Sequence, residues 1–301
     1  MAIPDPLRPL PTPSTQAGRD GVAALLARPA RAVVALDFDG TLADIVADPE
    51  QSRAHPATVP ALSALAPWVA SVAVITGRPA EVAVRFGGFS GAPGLDHLVV
   101  LGHYGAERWE AATNTVHAPD PSPGVEGVRA ELPAVLEQTG AEGARIEDKG
   151  HAVAVHTRRA TDPRGAFESL RGPLAELAER HGLIVEPGRL VLELRPPGMD
   201  KGVALAEYVR ETGAEAVLYA GDDLGDLAAY AAVDALRAQG VPGLLVCSGT
   251  EVPELAQQAD LLVSGPAEVA GLLEALAHHI DAHHTEARPR GPAREDRPDL
   301  A

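Results

Sequence analysis

Apolar and polar positions alternate along this chain with two different rhythms. Continuous apolar runs fall at 31–37, 69–76 and 97–102, and again at 216–220, 243–247 and 260–264. Each predicts a strand buried on both faces, the pattern of a parallel sheet. Helical patterns separate or follow them, at 56–65, at 79–86 behind Pro79, at 201–210 and at 227–233. Strands alternating with helices predict an α/β fold with a doubly wound, Rossmann-like parallel sheet.

The middle of the chain keeps the second rhythm. In 145–158 and 183–195 every other residue is apolar, as in Val153 and Val155 or Leu190, Leu192 and Leu194. That alternation predicts strands with one buried face, as in an antiparallel sheet. Helical stretches at 123–138 and 162–180 accompany them. The organisation expected is an α/β core, 19–106 and 198–282, with an inserted α+β domain at 107–197. The ends, 1–18 and 283–301, are rich in Pro and charge, lack periodicity, and are expected to be disordered.

Composition narrows the classes. Of 301 residues 46% are hydrophobic but only 3% aromatic, so the core is built from Ala, Val and Leu, which suits helices packed on a sheet. A net charge of −17 argues against nucleic acid as a partner. No run reaches the roughly 18 apolar residues of a membrane span, and the Pro-rich start has no secretory apolar segment. The single cysteine, Cys247, excludes an internal disulfide, so a reducing, cytoplasmic setting is expected.

The chemistry gathers where the buried runs end. Asp37-Phe38-Asp39-Gly40-Thr41 follows the first run directly. Open α/β sheets bind ligands at that edge. There, one carboxylate of an Asp-x-Asp pair can attack phosphorus while the other protonates the leaving oxygen. A bare Asp-x-Asp also fits a solvated Asx turn. Thr76-Gly77-Arg78 follows the second run, and its hydroxyl suits either a phosphoryl group or a helix cap. Gly221-Asp222-Asp223-Leu224-Gly225-Asp226 crowds three acids into one turn, which a hard divalent cation such as Mg2+ would relieve. Lys201 opens a helix against the macrodipole, and only it and Lys149 are lysines among 25 basic residues. Lys201 could neutralise a phosphoryl group and the Asp37 carboxylate.

These segments, in this order, resemble the haloacid dehalogenase superfamily of phosphotransferases. The resemblance implies Asp37 as nucleophile, Asp39 as general acid and base, and Thr76 and Lys201 as phosphoryl ligands. It implies Mg2+ held by Asp37, the Asp39 carbonyl and Asp222, with Asp223 or Asp226 in support. The insert then resembles a cap over the site. Closer still is the trehalose-6-phosphate phosphatase family. It is carried by the stretch from Asp37 to Ile45, Gly102-His103-Tyr104-Gly105-Ala106-Glu107, Glu147-Asp148-Lys149-Gly150, Leu192-Glu193-Leu194-Arg195-Pro196, and the Gly221–Asp226 acids. That likeness implies hydrolysis of a sugar phosphate, trehalose 6-phosphate, and functional coupling to a trehalose-phosphate synthase. It places Glu147 and Lys149 on the sugar. Gly77, Arg78, His103, His156, Arg158, Glu193 and Arg195 are further substrate-binding candidates. Ala43-Asp44 stands where the family has Ser/Ala-Pro, and Thr76 replaces a serine. Other sugar phosphates, and a non-catalytic sugar-phosphate sensor, remain the alternatives.

Overall fold

The computed structural model describes residues 9–46, 48–188 and 190–286. In chain order the first part holds α1 (Gln16–Ala27), β1 (Ala32–Leu36), α2 (Thr58–Leu65), β2 (Ser71–Ile75), α3 (Ala80–Gly87), β3 (Leu98–Gly102), β4 (Glu107–Glu110) and β5 (Thr115–His117). Then come α4 (Pro123–Thr139), β6 (Arg145–Asp148), β7 (Val153–His156), α5 (Pro163–Arg180), β8 (Ile184–Gly188) and β9 (Val191–Arg195). The last part is α6 (Lys201–Thr212), β10 (Ala216–Gly221), α7 (Leu227–Ala238), β11 (Gly243–Ser248), α8 (Pro253–Ala256), β12 (Leu261–Val263) and α9 (Pro266–Glu286).

The main sheet runs β12-β11-β10-β1-β2-β3-β4-β5, parallel as far as β3 and antiparallel beyond it. Its central strands are apolar throughout because both faces are covered. Val34 and Leu36 of β1 pack into one layer with α1, α2 and α9, while Val33 and Ala35 pack into the other with α6 and α7. The switch point, where chain order leaves β1 in both directions, puts the ends of β1, β2 and β10 side by side.

A second, antiparallel sheet, β6-β7-β9-β8, carries α4 and α5 on one face. Val153, Val155, Leu192 and Leu194 bury that face against Val128, Leu170 and Leu174. Residues of opposite parity, among them Glu147, Lys149, His156, Glu193 and Arg195, occupy the other face, which is polar.

Three expected boundaries move. β4 and β5, read as the start of the insert, extend the main sheet, because β4 pairs with β3 through Trp109 opposite Val100. The stretch 9–18 is not free chain. The Ser14 amide donates to the Asp260 carbonyl at 2.8 Å, and Thr15 caps α1. α9 runs on to Glu286, past the expected limit at 282. The rest of the two expected disordered ends, 1–8 and 287–301, lies outside the described residues.

Candidate active site

Asp37 sits immediately beyond β1, buried, its backbone amide donating to the Ala220 carbonyl at 2.9 Å. The chain then folds back on itself, with Gly40 at φ 77°. A Cβ at Gly40 would lie 2.0 Å from an Asp222 oxygen, so only glycine lets β10's acids approach the Asp37 turn. Ser248, at the end of β11, donates to the Gly40 carbonyl at 2.7 Å and pins the same turn from the other side.

Lys201, the first residue of α6, lies buried at the centre. Its Nζ is 2.8 Å from Asp37 Oδ1 and 2.8 Å from Asp226 Oδ1. Burial opposes its charge, but Asp226 and Asp37 overcome this and hold its pKa well above the ordinary lysine value. These acids offset the cost of a cation at a helix start. Burial also raises Asp37 well above the usual carboxylate range; Lys201 opposes that shift, and Asp226, Asp222 and Asp223 reinforce it.

Asp226 is saturated. Besides Lys201 it accepts from the Tyr219 hydroxyl at 2.6 Å and from the amides of Asp222 and Asp223 at 3.0 and 3.1 Å. Despite burial, Lys201 and these donors hold its carboxyl below the ordinary range. Asp37, Asp222 and Asp226 bring ligand oxygens within 4.8 Å of one another. Asp222 Oδ1 is buried without a hydrogen-bond partner among the described residues. With Asp226 filled by its donors, Asp37 and Asp222, the latter carrying the orphaned oxygen, are the carboxylates that fit a divalent cation. Asp223, by contrast, is largely exposed and caps the next turn through the Gly225 amide.

The Asp39 carboxylate turns away from this acidic cluster. Arg78 Nε and Nη2 grip it at 2.6 and 2.7 Å, and the buried Ser52 hydroxyl donates to it at 3.2 Å. Thr76 Oγ1 accepts from the Arg78 amide at 3.1 Å, which leaves its proton free to donate.

The polar face of the second sheet turns toward these strand ends. Arg195 lies 5.3 Å over the Tyr104 ring, and the His151 and His103 rings are 5.9 Å apart. On that face Lys149 pairs with Glu193 at 2.5 Å and His156 with Glu147 at 2.6 Å. Glu193 Oε1 is buried with no partner among the described residues. Arg158 is exposed in the turn just beyond β7. Ser52, Tyr219 and Ser248 went unnoticed in the sequence. They lie in no motif, and only folding brings them to the site.

A layered α/β core with an inserted cap and these strand-end acids is the fold of haloacid dehalogenase-like hydrolases. One such hydrolase, from Bacteroides thetaiotaomicron, superposes with a TM-score of 0.57 at 16% identity, covering 83% of this chain and 98% of that one. The chain belongs to the trehalose-phosphatase family, whose model matches residues 35–263. The trehalose-phosphate phosphatase of Mycobacterium tuberculosis (strain ATCC 25618 / H37Rv) is 34% identical over 263 residues, 82% of this chain and 61% of the relative. This chain thus spans about three fifths of the length of that curated relative. The solved Aspergillus fumigatus trehalose-6-phosphate phosphatase is 26% identical, with a TM-score of 0.61, covering 89% of this chain and 99% of that chain. Among the described residues no helix is long and apolar enough to cross a membrane.

Proposed function

We propose that this protein hydrolyses trehalose 6-phosphate to trehalose and phosphate. The observation that carries the reading is the Asp37–Lys201 contact of 2.8 Å at the strand ends, beneath a cap face of Glu147, Lys149, Glu193 and Arg195. Family membership supports the choice of sugar.

Asp37 is the proposed nucleophile, its carboxylate oxygen attacking phosphorus to give an aspartyl phosphate. Lys201 and the Thr76 hydroxyl, with the Gly77 amide, neutralise and hold the phosphoryl oxygens. Asp39 donates a proton to the departing sugar oxygen and then takes one from the water that hydrolyses the intermediate. Asp37, Asp222 and the Asp39 carbonyl would hold Mg2+, with Asp226 positioning Lys201 and Asp223 outside the cluster. When bound, the cation offsets the charge of Asp37 and Asp222 and of the incoming phosphate.

The sugar is read by the cap. Its hydroxyls both donate and accept, and the Lys149–Glu193 and Glu147–His156 pairs supply both kinds of partner. A reducing cytoplasm, and a synthase that supplies the sugar phosphate, complete the reading. A phosphate-release panel over trehalose 6-phosphate, sucrose 6-phosphate, glucose 6-phosphate and mannosyl-3-phosphoglycerate tests it. Trehalose 6-phosphate should show the highest kcat/KM. A higher value for another sugar would reassign the substrate, and no release from any would remove the enzyme reading.

A further inference from the structure

Tyr104 is absent from the catalytic set, yet it lies where the phosphate loop, the core and the cap meet. Its backbone is strained. His103 and Tyr104, neither of them glycine, hold φ of 46° and 57°, and Gly105 follows at 96°. Consecutive non-glycine residues in the left-handed region cost free energy that the surroundings must offset. The offset is visible: the His103 amide donates to the Arg78 carbonyl and the Tyr104 amide to the Thr76 carbonyl, both at 2.9 Å. The strained turn is thus stitched to the Thr76-Gly77-Arg78 loop at both ends.

The side chain is aimed by that turn. A Cβ built on Gly77 would lie 2.7 Å from the Tyr104 hydroxyl oxygen. Glycine at 77 therefore leaves room for a phenol as well as exposing its own amide. Arg195, from the cap, covers the ring at 5.3 Å. Burial raises the phenol's pKa, and Glu193 adds to the rise while Lys149, Lys201 and Arg195 oppose it, so the group stays neutral and keeps its proton. Its oxygen makes no hydrogen bond to any described residue, although phenols placed this close to protein usually find a partner.

We propose that the Tyr104 hydroxyl is a substrate-binding group that hydrogen-bonds the carbohydrate beside its phosphorylated carbon. The position argues for this part of the substrate. The hydroxyl adjoins Gly77, where the phosphoryl group is expected, and its ring lies under Arg195 on the sugar-reading face. A neutral hydroxyl that both donates and accepts suits a sugar hydroxyl or bridging oxygen; the phosphoryl oxygens already have Lys201 and Thr76. Core and cap would then share recognition, with Tyr104 at the junction and Lys149, Glu193 and Glu147 further out.

The inference rests on the sugar-phosphatase reading, and one experiment separates the two. Tyr104→Phe keeps the ring, its packing under Arg195 and the backbone turn, and removes only the hydroxyl. Wild type and variant are compared on the sugar phosphate that the wild type cleaves best and on p-nitrophenyl phosphate. The expected result is a loss of about tenfold in kcat/KM on the sugar phosphate, mostly through KM, with less than about a twofold change on the aryl phosphate. Equal values for variant and wild type on the sugar phosphate, or equal losses on both substrates, would overturn the assignment. If the wild type cleaves p-nitrophenyl phosphate but no sugar phosphate, the functional reading fails along with it. Thermal unfolding of both proteins identifies a variant that has lost its fold, and in that case Tyr104→His, which keeps a ring and a hydrogen-bonding edge, should restore part of the sugar-phosphate activity.

Discussion

Arg78 holds the Asp39 carboxylate through two parallel hydrogen bonds of 2.6 and 2.7 Å, while its third nitrogen donates to the Pro49 carbonyl. The guanidinium is thus spent within the core, although it was expected on the substrate. A forked pair fixes orientation as well as distance. A positioned acid–base group contributes about 10²–10⁴-fold, so Arg78→Ala should forfeit part of this, roughly 10- to 100-fold in kcat/KM on a sugar phosphate. From p-nitrophenyl phosphate the stable p-nitrophenolate anion leaves without protonation, so that substrate should suffer less. An Arg78→Ala variant with equal losses on both substrates would place the arginine on the phosphate instead.

Asp37→Asn removes the proposed nucleophile but preserves shape. Turnover should fall by at least about 10³-fold, with far-UV circular dichroism and the melting curve essentially retained. Near wild-type phosphate release would sink the mechanism.

Burial, together with Asp226 and Asp223, pushes the Asp222 carboxyl up to about 8 in the protein without a cation. Below that pH the group holds a proton, and a divalent cation takes the ionised form. Mg2+ binding at neutral pH should therefore release a proton, and affinity should climb as pH rises toward that value, then level off. Calorimetry in two buffers of different ionisation enthalpy reads the proton directly. Chelation with EDTA should silence turnover and added Mg2+ restore it.

Tyr219→Phe tests the buried network by stability. The substitution leaves Asp226 one donor short inside the core, which costs about 1–3 kcal/mol. Denaturant unfolding should show a lowered midpoint with an unchanged slope. No shift in the midpoint would mean that the 2.6 Å contact contributes nothing net.

Lys149→Ala probes the cap. It strands Glu193, whose second oxygen is already unpartnered among the described residues, and it removes a proposed sugar donor. Loss on trehalose 6-phosphate should exceed loss on p-nitrophenyl phosphate by about tenfold or more. Equal losses would argue against sugar reading by this face.

What the chain determines by itself is what local pattern and local chemistry encode. Residues 32–36 are apolar at every position, so β1 and its double burial are legible, and Asp37 and Asp39 follow at its end because the motif is contiguous. Lys201 was legible as a violation of a local rule, and Lys149 and Glu193 only through the resemblance of their short stretches to the family's motifs. Contacts between distant segments depend on the tertiary structure. Ser52 reaches Asp39 and Ser248 reaches Gly40 only because loops far apart in sequence close over one strand edge. β4 joins the main sheet because Trp109 finds β3, although its own pattern suits either sheet. Asp226 resembled any other acid in its turn until Tyr219, Lys201 and two backbone amides filled both its oxygens. A carboxylate's role depends on how many donors it already has, and that number exists only in the folded chain.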